Sequence, residues 1–227
     1  MSIALAAPAM HARGDEYVLL EGVRYSTYEA LLEDMGNRHI RLTYDDGSLE
    51  IMTVSPRHEW AKKLIGRMIE AMTEELNIPL RSGGSTTFKK ELNKKGLEPD
   101  GCYWVANERA VRGRPDLEIE LDPPPDIALE VEISTSALNR LAIYAAIGVT
   151  EIWRSDGQQI LISQLQDDGS YAPVPQSPSF PWLPVAGLSR FLSGGMTMSE
   201  TQWIRSFRTW IRTEVSPVAP AITESQE

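Results

Sequence analysis

The stretch from Pro123 to Ile133, PPPDIALEVEI, constrains the fold more than any other part of the chain. Three prolines end whatever precedes it, and a run of strand length follows. With a side-chain period of two, Ile127, Leu129, Val131 and Ile133 share one face. Asp126, Ala128, Glu130 and Glu132 share the other. The aliphatic face needs a core, so the chain must build a sheet with something packed on it. The carboxylate face has fewer options. Buried acids are costly unless they are paired or bound to a cation. The plainest reading of E-x-E alone is a wet face on a half-exposed sheet.

The flanking pattern supplies the rest of the sheet. YVLLEGVRY reads as a first strand, and STYEALLEDMG as a helix with a capping box, Ser26 with Glu29, closed by Gly36. HIRLTYDDGSLEIMTV is two alternating runs around Asp46-Gly47, a hairpin signal. SPRHEWAKKLIGRMIEAMTEEL starts with a capping Ser55 and Pro56 at the first helical position. Ala61, Leu64, Ile65, Met68, Met72 and Leu76 then fall on one side at helical spacing. STTFKKEL and LEPDGCYWVA read as short strands, and Arg109 to Arg114 as a charged loop. SALNRLAIYAAIG is a helix with Ser or Thr at its start and Gly148 at its end. VTEIWRSDGQQILISQL is a second hairpin, around Asp156-Gly157. A Pro-rich stretch precedes a last amphipathic helix with Trp203, Ile204, Phe207, Trp210 and Ile211 on one face. The expected fold is α/β (α+β), a mixed sheet flanked by helices, with a strand-rich N-terminal addition. Residues 1–15 read as a flexible leader, 16–213 as one domain and 214–227 as a disordered tail.

Composition narrows the function. The 227 residues carry 22 basic and 32 acidic side chains, a formal net charge of −10, which argues against a sequence-independent nucleic-acid coat. Any phosphate backbone must meet a local basic patch. The segment 81–115 is one, with eight basic residues against four acids. It reads as a solvated loop pair or as a DNA-backbone surface formed by Lys89, Lys90, Arg112 and Arg114. A single cysteine, Cys102, excludes an internal disulfide and a Cys-rich zinc site. No apolar run reaches the ~20 residues of a membrane helix. The expectation is a soluble cytoplasmic protein.

Asp100, after a proline in LEPDGCYW, changes the reading of the E-x-E strand. Hard divalent cations such as Mg²⁺ take oxygen ligands, often one or two carboxylates with water and phosphate. Asp100 and Glu130 on adjacent strands supply such a pair. Glu132 is then a further ligand or a carboxylate that orients water. Arg140 falls in the first or second turn of the next helix and reads as a phosphate clamp, as an ordinary surface arginine or as a salt-bridge partner of Glu132. Glu59, at the start of the long helix, is a candidate extra ligand, with Glu70 as the alternative. His58 lacks a second histidine at ligand spacing. No phosphate loop, nucleophile elbow or Rossmann fingerprint is present. The Trp203–Ile211 stripe reads as core or as a homodimer contact.

EPDGCYW, then PPDIALEVEIS, then NRLAIYAAIGVTEIWR, together resemble the Uma2 family, a branch of the PD-(D/E)XK nuclease superfamily. The likeness runs from about Tyr17 to about Leu192. RLTYDDGSLEIMTVSPRHEWAKKL and GGSTTF match the family's N-terminal half, and YAAIGVTEIW is the most specific piece. The resemblance implies a restriction-endonuclease-like core and Mg²⁺- or Mn²⁺-dependent cleavage of DNA. Asp100 takes the place of the motif's Asp, and Glu130 that of its second acid. The motif's Lys belongs two residues after the Glu, where this chain has Glu132. In many relatives that Lys has moved to the position of Arg140, four residues before Tyr144. Arginine keeps the charge but is a poor general base. Lys89 and Lys90 are the fallback cations. The competing readings are a nuclease fold that has lost catalysis and serves as a binding module, and a hydrolase of another phosphoester.

Overall fold

The structure, a computed structural model, describes residues 14–35, 40–90, 94–117, 121–134 and 136–219. β1 (Glu16–Leu20) leads to α1 (Tyr25–Met35), the hairpin β2 (Ile40–Asp45) and β3 (Ser48–Thr53), and the long α2 (Pro56–Glu75). β4 (Arg81–Ser82), β5 (Phe88–Lys90), β6 (Lys95–Leu97) and β7 (Gly101–Trp104) follow, then the single turn α3 (Glu108–Val111). β8 (Ile127–Val131), α4 (Arg140–Ile147), the hairpin β9 (Glu151–Ser155) and β10 (Ile160–Leu165), and β11 (Tyr171–Val174) complete the strands. α5 (Val185–Gly194) and α6 (Glu200–Trp210) close the fold, with a π-helical turn Ile211–Val215 after them.

The strands form two sheets. The smaller has the order β1-β3-β2-β6-β5 and is antiparallel throughout. The larger has the order β11-β10-β9-β8-β7-β4. It is mixed, because β8 and β9 run parallel and α4 makes the crossover between them. This is the expected α/β fold with a strand-rich N-terminal addition.

The strand that opened the argument is buried at every position. Ile127, Leu129 and Val131 pack with Ala61, Leu64, Ile65, Met68 and Met72 of α2 and with Trp203, Phe207 and Trp210 of α6. Each such side chain contributes about 1.5–3 kcal/mol by leaving water. Ala128 faces the other way, into a second core with Ile143, Tyr144 and Ile147 of α4 and with Phe88 and Leu97 of the smaller sheet. The Glu130 face is therefore covered, not wet. The Trp203–Phe207–Trp210 stripe belongs to the main core, which removes the need for a dimer partner to cover it.

Several local signals stand as read. Ser55 caps α2 by accepting the His58 N–H, with Pro56 at the first helical position. Asp46 and Gly47 adopt φ of 39° and 103°, the positive pair that a two-residue hairpin turn requires. Gly148 ends α4 at φ 94°. Other expectations shift. Helix α1 starts at Tyr25, so Ser26 lies inside its first turn instead of capping it. Tyr28 decides this register, because it is fully buried and stacks on Tyr44 at 5.1 Å. Gly36, the expected end of that helix, lies outside the described residues. Asn139, not a Ser or Thr, caps α4. The loop around Arg109 contains α3, and the Pro-rich stretch contains β11 and α5. Pro173 is tolerated because β11 is an edge strand.

The largest difference is in LEPDGCYW. It is two strands, β6 in the smaller sheet and β7 in the larger, and Glu98-Pro99-Asp100 crosses between them. Pro99 has no N–H to give a ladder, so pairing stops there and the chain changes sheets. At the chain ends, Asp15 is buried, and Val215 is buried in the main core, beyond the expected domain end at 213. Residues 1–13 and 220–227, most of the expected leader and tail, lie outside the described residues.

Candidate functional site

Two buried charge networks meet where the chain crosses between the sheets. The first is built on Glu130. The β7–β8 register pairs Gly101 with Leu129, and Asp100, just before β7, donates its N–H to the Leu129 carbonyl at 3.0 Å, which brings it beside the Glu130 end of β8. Arg140, the first residue of α4, donates to Glu130 Oε1 from Nε at 3.2 Å and from Nη2 at 2.5 Å. Tyr144, one turn further along the same helix face, donates to that same oxygen. The remaining guanidinium donors reach Thr43 Oγ1 on β2 and the Glu98 carbonyl at 3.0 Å. Arg140 thus ties β8 to β2 and to the crossing segment. Its head group is committed to protein acceptors, and it is not the surface arginine paired with Glu132. Burial pushes the Glu130 carboxyl up, to about 7, against the pull of Arg140 and with the neighbouring Asp100 charge adding to the rise. All three donors converge on Oε1; Glu130 Oε2 receives no hydrogen bond among the described residues.

The second network runs through His58. Its ring is fully buried, with Nδ1 3.0 Å from Asp15 Oδ2 and Nε2 2.8 Å from Asp100 Oδ1. Asp100 Oδ2 accepts the Val131 N–H at 2.8 Å. Asp15 Oδ1 accepts the Ser55 N–H at 2.8 Å, which ties the N-terminal arm to the start of α2. Burial alone would lower the His58 pKa, but hydrogen bonds to Asp100 and Asp15 and their charges outweigh it and raise it to about 9. The ring is therefore an imidazolium at neutral pH. Asp15 is held below the usual carboxylate range by the same partnership, against its burial.

A pH dependence of stability follows. His58 has a folded pKa of about 9 against 6.5 unfolded. Its stabilisation is fully present below pH 6.5 and is lost as pH rises through 9. The melting temperature, measured with chelator present, is expected to fall by several degrees over that window, and His58→Gln is expected to flatten the fall. A wild-type melting temperature that stays level from neutral pH to pH 9 would contradict this charge state.

Glu50 adds a further buried acid. It sits opposite Thr43 in the β2–β3 register and accepts from Ser136 Oγ at 2.8 Å and Ala137 N at 2.7 Å. The Tyr17 hydroxyl, which donates to the Ser134 carbonyl, feels the charges of Asp15, Glu50, Arg140 and Glu130 together. The region thus gathers four buried carboxyls, Asp15, Glu50, Asp100 and Glu130, around two cations, His58 and Arg140. Among the described residues no three ligand-type side chains converge as a ready-made metal cage. The donor set still suits a hard divalent cation. Its oxygens are carboxylates, its buried charge is short of cations, and Glu130 Oε2 has no donor among the described residues.

The other expected site residues lie apart. Glu132 is exposed just past the end of β8. Glu59 contacts Lys62 at 3.4 Å and Arg41 at 3.8 Å, not Asp100. Lys89 pairs with Glu29, Arg112 with Glu108 and Arg114 with Asp122. Three of the expected backbone-contact residues thus carry acidic partners, two of them, Glu29 and Asp122, from outside the segment. The Lys90 side chain lies outside the described residues. Sequence reasoning missed Asp15, Glu50 and Tyr144, and set His58 aside. His58 did leave a signal, because it stands three residues before Ala61 and seven before Ile65, on the apolar stripe of α2.

A family model with the description "Putative restriction endonuclease" matches residues 25–195, which span the crossing segment, β8, α4 and most of both sheets. No curated protein matches the chain.

Proposed function

Because this chain belongs to the Uma2 family, we propose that it is a divalent-metal-dependent endonuclease that hydrolyses DNA phosphodiester bonds. The family's description supports nuclease activity at the coarse level. One observation supports the finer reading: the buried Asp100 carboxylate, held by the Val131 N–H, lies close enough to Glu130 to raise its pKa, and one Glu130 oxygen has no donor among the described residues.

In this reading Asp100 and Glu130 hold Mg²⁺ or Mn²⁺. The ion would supply Lewis-acid stabilisation of the phosphoryl oxygens and a water more acidic than bulk. The chain's own residues do the positioning. His58 fixes the Asp100 carboxylate from one side and the Val131 N–H from the other. Arg140 and Tyr144 hold Glu130 Oε1, which turns Oε2 free for a ligand. Arg140 is then a positioning residue and not the phosphate clamp. Glu132, exposed beyond the strand, is left as a carboxylate that orients water. Glu59 is not a ligand in this reading. The proposed DNA substrate supports a cytoplasmic location; no helix among the described residues is long and apolar enough to cross a membrane.

The test is nicking of supercoiled plasmid by the purified chain with Mg²⁺ or Mn²⁺ and with chelator. Cleavage only with metal supports the reading, and uncut DNA under every metal condition sinks it. A second reading, a binding module that has lost catalysis, is favoured by Glu132 at the motif's Lys position. Calorimetry separates the two. Divalent-ion binding that Glu130→Gln abolishes supports the enzyme, and DNA binding indifferent to metal supports the module.

A further inference from the structure

Beside Asp100 lies a second group of polar side chains that the carboxylate pair does not use. Ser85 sits in the loop between β4 and β5, which carries the glycines of GGSTTF. Gly83 is needed there, because a Cβ would lie 2.5 Å from Cys102 Sγ and 2.6 Å from the Trp104 ring. The loop is held against β7, and the Ser85 hydroxyl donates to the Asp100 carbonyl at 3.3 Å. Arg41 Nη2 on β2 and Lys62 Nζ on α2 each donate to Ser85 Oγ at 3.2 Å. One hydroxyl accepting from two cations is a poor return for either. The cations' carboxylate partner, Glu59, is loose, at 3.4 Å from Lys62 and 3.8 Å from Arg41. Arg41 is largely buried, with a side chain 12% exposed, and its Nε–H has no partner among the described residues. A buried donor left unmade is costly, so this arrangement leaves an acceptor wanting. Lys62 and Asp100 also line one cleft of about 390 Å³, with Lys63, Arg67, Glu70 and Glu200, where Arg67 pairs with Glu200.

We propose that Arg41, Lys62 and Ser85 form the seat for a phosphodiester oxygen of the DNA backbone beside Asp100, with Lys62 supplying the cation that Glu132 cannot. The chemistry fits the ligand. A guanidinium edge and an ammonium point charge are the two cationic groups that bind phosphate oxygens. The proposal rests on the nuclease reading and deepens it by naming the surface that meets the substrate.

The test is duplex binding by fluorescence anisotropy across a salt series, with chelator present so that no cleavage or metal enters. Lys62→Met and Arg41→Met are each expected to weaken binding roughly tenfold and to lower the slope of log K against log salt by about one. Lys62→Arg and Arg41→Lys should recover most of both, and Glu59→Gln should tighten binding. Folded Met variants with wild-type affinity and slope overturn the proposal and leave the nuclease reading standing. Lost affinity with an unchanged slope overturns it too, since packing and not a phosphate contact was then removed. A wild-type chain with no salt-dependent duplex affinity fails the nuclease reading, and the proposal falls with it.

Discussion

Glu130→Ala is expected to destabilise the fold by about 3–5 kcal/mol, because it strands the Arg140 guanidinium in a buried site. Arg140 is 9% exposed and directs Nε and Nη2 at the lost carboxylate. Tyr144 loses its acceptor in the same step. In a domain of this size the melting temperature should fall by roughly 10 °C. The obvious active-site variant is therefore a poor catalytic probe, since lost cutting would report lost folding. Glu130→Gln keeps the volume and one acceptor oxygen and should retain most of the stability. The double variant Glu130→Met with Arg140→Met should recover much of the loss, because removing both buried charges relieves the unpaired one. Thermal melts of the set decide the matter. If Glu130→Ala melts within a degree or two of wild type, the pair is not the bracket described above.

Asp100→Asn is expected to lower metal-dependent cleavage by more than about a hundredfold, since Lewis-acid stabilisation is worth several kcal/mol and each 1.36 kcal/mol is tenfold. The fold should tolerate the change. The amide oxygen can accept the Val131 N–H, and the amide nitrogen can donate to a neutral His58 that keeps its proton on Nδ1 towards Asp15. Duplex binding measured in chelator should be unchanged or tighter, because one negative charge is gone. Plasmid nicking at wild-type rate by Asp100→Asn would end the carboxylate-pair mechanism, while lost binding would point to a structural role for Asp100.

Features complete within a few residues were legible in the sequence. Ser55-Pro56 opened α2, Asp46-Gly47 and Asp156-Gly157 turned hairpins, and the period-two run at Ile127 marked the central strand. The pairing of β7 with β8, which brings Asp100 near the Glu130 strand, also followed from reading two strands as neighbours. The misses share one cause: they are settled by partners distant in the chain. His58 reads as a helix-start histidine until Asp15 and Asp100 close on it, 43 and 42 residues away. Arg140 looks available for phosphate until Thr43, 97 residues earlier, takes one of its donors. The basic segment reads as unpaired charge until Glu29, Glu108 and Asp122 pair with Lys89, Arg112 and Arg114. Lys62 and Arg41 were passed over because each lies on an amphipathic element where a charged residue is ordinary.

The crossing at Glu98-Pro99-Asp100 bears on when the protein becomes competent during synthesis. Arg140 cannot find Glu130, Thr43 and the Glu98 carbonyl until about two thirds of the chain has emerged and both sheets have docked. Contacts of such long sequence separation form late, since their loop-closure cost precedes their reward. A nascent or truncated chain would hold each carboxylate on a separate unfinished piece. Under the proposed nuclease function, completion of the domain would act as a safety catch, so that unfinished copies could not damage DNA.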